Sequence, residues 1–420
     1  MTDESPRRSL AIILSGGGAR GAYEVGVLSY LFDELTRTRG APPKVDILCG
    51  TSVGAINSSY LAAHLVDPVL GIRRLVDVWS RMKLDDVLGF GWRQAVSLPR
   101  VMLGGGGGAG IFDVSPMASL VQREIPWRAI TRTMRQGRLK ALSVSATEVS
   151  TGRTVIFMQT GPTTALPTRA PPRTLIRADR IGPQHALASA AIPLLFPPVN
   201  LGNQLYVDGG VRQNTPIAPA IRLGATHVLV VGTSRLVRGV THPKPVEAPS
   251  LTFLLGKIMN ALLLDHLDSD LGFVNLLNDI LQSGKSGFGP EFVPRLNEAA
   301  AMRGGHQFRP IETLVIRPTE GIGQLAAEHL RAGKLRAGPL FTKRLLKLLD
   351  MGIADDADLA SYLLFDGGFC QHLIELGRSD ARARRNEIKN FLGEVEEPGG
   401  GMPESSRGES GWSLPPTAVS

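Results

Sequence analysis

Two short glycine-rich stretches carry side chains that could transfer an acyl group. Residues 50–54, "GTSVG", form a G-x-S-x-G sequence centred on Ser52. A serine in that pattern sits on a sharp strand-to-helix turn, and Gly50 and Gly54 are required where a side chain would strike neighbouring backbone. A plain glycine-rich turn also fits the pattern. The flanks favour the elbow: "KVDILCG" reads as a buried strand and "VGAINSSYLAAHLV" as a small-residue helix. Asp208 ends the strand-like "QLYV" and precedes Gly209 and Gly210. An Asp-Gly turn is often purely structural. To take a serine proton, a carboxylate must be partly desolvated and within direct hydrogen-bond reach of the hydroxyl.

A third stretch, "LAIILSGGGARGAYEVGVL" (10–28), ends an aliphatic run in three glycines at the start of a helix. Gly16, Gly18 and Gly21 match the G-x-G-x-x-G spacing of a dinucleotide site. That site also needs an acid at the end of the second strand. Here the strand ends "LCGTSVGA", and Asp46 stands at its beginning instead. Bare N–H groups would equally receive the oxyanion formed when a serine attacks a carbonyl. Arg20 adds a charge beside the loop, for substrate, for a salt bridge or for the surface. Among eight histidines, His227 lies in the chain order of a Ser-Asp-His hydrolase, yet it enters a stretch that reads as a buried strand. Each histidine reads better as a core or surface residue.

In these blocks, with "ASAAIPLLFPPV" (188–199), the chain resembles the patatin-like phospholipases over residues 10–221. The resemblance implies a three-layer α/β/α fold around a mainly parallel sheet. It makes Ser52 the nucleophile and Asp208 the general base, with no histidine. Gly16, Gly17 and Gly18, with Arg20 beside them, would form the oxyanion hole, and Gly21, Gly50, Gly54, Gly209 and Gly210 would support the motifs. The implied reaction is hydrolysis of a fatty-acyl ester of a phospholipid or other lipid through an acyl-enzyme. The alternatives are a Ser-Asp-His esterase on soluble esters and a catalytically silent lipid-binding protein.

The elements that must position these residues alternate strand and helix, the pattern of an α/β domain. "SLAIILS", "QLYVDGG", "THVLVVGT" and "ETLVIRP" read as strands, and "LKALSVSATEVSTGRTVIFMQ" as a hairpin turning at 150–152. "GGGGGAG" (104–110) and "TGPTTALPTRAPPRT" (160–174) read as loops. The expected organisation is a catalytic domain over 10–221, strands and leucine-rich helices over 222–391 that complete or cover the core, and a disordered acidic tail over 392–420.

The 420 residues carry a net charge of +8, although the segment after Phe391 holds five acids against one base. The body is therefore strongly basic. It could meet nucleic acid or an anionic lipid surface, or be simply solvated. The expected partner is lipid rather than nucleic acid. Basic residues interleaved with leucines from Arg331 to Lys347, and a second basic stretch from Arg123 to Lys140, are candidates for peripheral membrane contact. No apolar run approaches the roughly 20 residues that span a bilayer. Residues 1–10, "MTDESPRRSL", lack the apolar core of a secretory signal, so a cytoplasmic location is expected. Cys49 and Cys370 are the only cysteines, which excludes a disulfide framework. No ligand cluster calls for zinc or calcium, and no metal or cofactor is expected.

Overall fold

The computed structural model describes residues 8–89, 110, 112–235, 256–261, 266–303, 305, 307–333 and 357–393. The glycine loop apart from Gly110, most of the basic stretch at 331–347 and the tail from 394 lie outside the described residues.

In chain order the strands are β1 (Leu10–Leu14), β2 (Ile47–Thr51), β3 (Ala141–Glu148), β4 (Thr154–Thr160), β5 (Thr174–Ala178), β6 (Val199–Leu201), β7 (Gln204–Asp208), β8 (His227–Val231) and β9 (Glu312–Ile316). The helices used below are α1 (Gly21–Ser29), α2 (Val53–His64), α3 (Pro68–Arg81), α4 (Ser115–Glu124), α5 (Trp127–Arg135), α6 (Pro183–Ser189), α7 (Ile217–Arg222), α8 (His266–Phe288), α9 (Phe292–Met302), α10 (Ile322–Arg331), α11 (Asp358–Leu363) and α12 (Gly367–Ala383).

Among the described residues nine strands form one sheet with the main order β5-β4-β3-β2-β1-β8-β9, and β6 and β7 pair off that path. β1, β2, β3, β8 and β9 are mutually parallel, so their carboxyl ends share one edge. Both faces are covered, which is why β1 is apolar at every position. Leu10, Ile12 and Leu14 face a core shared with α1 to α6 and α10 to α12. Ala11 and Ile13 face a second core shared with α7 and α8. This is a three-layer α/β/α architecture.

Helix boundaries follow local chemistry. α3 starts where the Asp67 carboxylate accepts the Leu70 N–H at 3.1 Å with Pro68 in the first turn. It buries Ile72, Leu75 and Trp79 along one stripe. α1 and α12 cross closely because Gly26 packs against the Ile374 carbonyl and Gly377 against that of Tyr23.

The hairpin forms as β3 and β4, antiparallel, with Gly152 at φ 62° in the turn. The proline-rich stretch connects β4 to β5. The sheet also extends beyond residue 221: β8 pairs with β1, and β9 pairs with β8. Of the leucine-rich segments, α8 buries Leu267, Val274 and Leu281, whereas Phe273, Leu276 and Ile280 are exposed. Around α5 the bases Arg128, Arg132 and Arg135 are exposed over buried Ile130 and Met134.

Candidate active site

Ser52 follows β2 directly and precedes α2, with φ 55° and ψ −129°. That conformation costs a residue with a side chain on the order of 1–3 kcal/mol, so the surroundings must hold it. Gly50 and Gly54 permit the turn: a Cβ on the first would strike the Gly54 carbonyl, and one on the second the Leu14 carbonyl. The Ser52 N–H donates to Ser189 Oγ at 2.8 Å. Ser189 Oγ in turn donates to the Ser145 carbonyl at 2.6 Å, tying α6 and β3 to the elbow.

Asp208 reaches the same place by a different route. β7 runs antiparallel to β3 where β2 has ended, with Asp208 opposite Ala146. Gly209 follows because a Cβ there would strike the Ser145 carbonyl. The Ser52 hydroxyl donates to Asp208 Oδ2 at 2.6 Å, and the Gly210 N–H donates to Oδ1 at 2.7 Å. Asp208 is fully buried, and burial pushes its carboxyl up to about 7 against the pull of those two hydrogen bonds. The elbow and the DGG turn, 156 residues apart, thus meet in a direct hydrogen bond.

The glycine run folds over this pair, with one correction to the expected donor set. The Gly16 N–H donates to the Asn214 carbonyl at 3.3 Å, and the Gly16 carbonyl accepts from Thr233 Oγ1 at 2.7 Å. Gly16 therefore anchors the loop, and its N–H is already engaged. Gly17 and Gly18 have no backbone acceptor among the described residues. Gly18 lines the pocket beside Ser52 in the left-handed conformation, φ 57°. Gly21 keeps α1 close to α2, since a Cβ there would meet Val53 Cγ2 at 2.5 Å.

Arg20 holds the salt bridge rather than the substrate-facing charge. It is 3% exposed; Nε donates to Ser361 Oγ at 2.8 Å and Nη2 pairs with Asp358 Oδ1 at 3.2 Å. Its guanidinium also stacks 4.2 Å from the Tyr362 ring centre.

The pocket against Ser52 runs between α2, α3 and α4 and is lined mainly by apolar side chains, among them Ile56, Trp79, Met117 and Phe196. Tyr362 and Phe365, from beyond the glycine-rich half of the chain, close one side. His227 is opposite Leu10, at the amino end of β8, about 16 Å of strand from the edge that carries Ser52. It pairs instead with Glu312 at 3.1 Å. The parallel register therefore removes His227 as a partner for Ser52.

Ser189, Asn214, Thr233 and Asp358 were not singled out from the sequence. Ser189 falls inside the block "ASAAIPLLFPPV" (188–199), its only signal in the sequence. The others carry no local signature, because their partners are about 200 to 340 residues away.

The fold and this geometry define a three-layer α/β/α protein with a serine–carboxylate pair on a strand-to-helix elbow. A family model described as patatin-like phospholipase matches residues 12–221, and the chain belongs to the patatin-like phospholipase family. A cGAMP-activated phospholipase of Pseudomonas aeruginosa is 30% identical over 208 residues, covering 49% of this chain and 53% of the relative. The match thus spans about half the length of that relative. Human GIVD cytosolic phospholipase A2, solved with methyl gamma-linolenyl fluorophosphonate, is similar over 93% of this chain and 60% of its own, at 14% identity and a TM-score of 0.40. VipD from Legionella pneumophila is similar over 74% of this chain and 61% of its own, at 15% identity and a TM-score of 0.29.

Proposed function

We propose that this protein is a lipid acyl hydrolase, a carboxylic ester hydrolase that cleaves fatty-acyl esters with Ser52 as nucleophile and Asp208 as general base. The observation that carries this reading is the 2.6 Å hydrogen bond from the Ser52 hydroxyl to a buried carboxylate. Family membership and the apolar pocket against Ser52 support the lipid substrate.

In this reading Ser52 Oγ bonds to the ester carbonyl carbon while its proton passes to Asp208 Oδ2. The carbonyl π electrons move to the oxygen, which the N–H groups of Gly17 and Gly18 stabilise. Collapse breaks the bond to the alcohol, which leaves with the proton from Asp208. Water then gives a proton to Asp208 and attacks the acyl carbon. The fatty acid departs, and Ser52 Oγ regains the proton. A carboxyl near 7 suits both halves, because it accepts and returns a proton near neutral pH.

A fluorophosphonate probe followed by a phospholipid panel tests the proposal. The parent chain should be labelled and should release fatty acid, and Ser52→Ala should do neither. Labelling that persists in Ser52→Ala, or labelling with no hydrolysis of any lipid ester, would overturn it. The second outcome would leave an activated serine whose substrate is not a lipid ester.

A further inference from the structure

We propose that Asp358 is a positioning residue for the acyl-transfer site, fixing the Gly17–Gly18 loop through Arg20; the inference rests on the hydrolase reading above. Two glycines in a row present no side chains by which the loop could be packed in place. Gly18 also adopts a left-handed backbone conformation that a residue with a Cβ enters only at a cost. Donors for a developing oxyanion must nonetheless stay within about 2.7–3.1 Å of one point. Rigidity must come from outside the loop, and α11 supplies it.

The contacts are specific. Gly18 lies so close to the Tyr362 carbonyl that a Cβ there would strike it. Two residues on, Arg20 N–H donates to the Gly17 carbonyl at 3.1 Å, and the Arg20 side chain is clasped by three residues of α11: Asp358, Ser361 and Tyr362. Asp358 Oδ2 is held in turn by Lys257 Nζ at 2.6 Å. Asn260 Oδ1 accepts from the Tyr362 hydroxyl at 2.8 Å and from Arg20 Nη2 at 3.4 Å. Burial pushes the Asp358 carboxyl up, but hydrogen bonds from Lys257 and Asn260 and the charges of Arg20 and Lys257 outweigh it and hold it ionised. Every member of this cluster except Arg20 lies beyond residue 221, where the family match ends. The carboxyl-terminal segment is thereby part of the working site and not only a cover for the sheet.

Hydrolysis of a soluble p-nitrophenyl fatty ester, measured for Asp358→Asn, Arg20→Met and the double variant, tests this. Asp358→Asn should lower kcat at least about tenfold with KM changed less than about threefold, because donors to the oxyanion act in the transition state. Asp358→Glu should recover part of the loss. The double variant should be no slower than the slower single variant, since both changes release the same loop. It removes both members of the ion pair, so the measurement stands even if a single variant folds poorly.

Fluorophosphonate labelling should slow in parallel with kcat. A kcat for Asp358→Asn within twofold of the parent would overturn the proposal, as would losses that multiply in the double variant or an effect confined to KM. A parent chain that the probe does not label would instead refute the hydrolase reading. Normal parent labelling with an equal rate in Asp358→Asn would refute only the positioning role.

Discussion

Two buried aspartates, one bonded to Ser52 and the other paired with Arg20, behave as opposites. Asp208 has no cation within reach in its hydrogen-bond set; a hydroxyl and one N–H are its partners, and burial lifts it to about 7. Asp358 is less completely enclosed and faces Arg20 and Lys257, which with Asn260 hold it below the usual carboxylate range despite burial. The same functional group is thus lifted towards neutrality in one place and held as a counter-ion in the other. Nearby charge decides which.

The comparison breaks most readily at Asp208. Replacing it with Asn should lower kcat/KM about 10²–10⁴-fold, the usual share of a general base, as read by fatty-acid release at pH 8. If the two aspartates were interchangeable in kind, Asp358→Asn would cost as much.

The next largest effect is on stability, where the signs should differ. At pH 8 an ionised Asp208 is buried without a cation, so Asp208→Asn should stabilise the fold, by up to about 4 kcal/mol. Asp358→Asn should destabilise it by about 3–5 kcal/mol, because Arg20 loses its buried carboxylate. Urea unfolding measures both. Destabilisation in both variants would show that Asp208 is not carrying an uncompensated charge.

The pH dependence separates the pair further. Asp208 has a raised pKa, so its contribution to stability is present below about pH 4 and lost as the pH rises towards about 7. Asp358 has a lowered pKa; its contribution is present above the ordinary carboxylate range and lost as the pH falls through its depressed value. The proposed mechanism needs Asp208 ionised. A pH–rate profile of kcat/KM should therefore fall about tenfold per unit below pH 7. A flat profile down to pH 5 would contradict the raised carboxyl.

The smallest effect sharpens the picture at the elbow. Ser189→Ala leaves the Ser52 N–H and the Ser145 carbonyl unpaired in the core, which should cost about 1–3 kcal/mol. Thermal unfolding checks it. A neutral substitution would show that the strained turn needs no support from α6.

Legibility followed distance along the chain. Ser52 and Asp208 could be picked out because each sits in a turn whose glycines are required by backbone only a few residues away or by the strand it ends. The strands β1, β2, β7, β8 and β9 were readable for a related reason: a strand covered on both faces, or ending in a tight turn, shows it in its own composition. The donor set was less legible. Nothing near Gly16 says that its N–H will be taken by Asn214, and nothing near Arg20 says that its partner is residue 358.

The amino-acid order by itself determined the alternating α/β class, the strained serine, the aspartate at its turn and the bare backbone facing them, because these depend on sterics within a few residues. Only the folded chain decided that serine and aspartate touch, that His227 lies at the far edge of the sheet, and that Arg20 pairs with Asp358. Those outcomes depend on strand register and on packing between segments hundreds of residues apart, where local sterics carry no information.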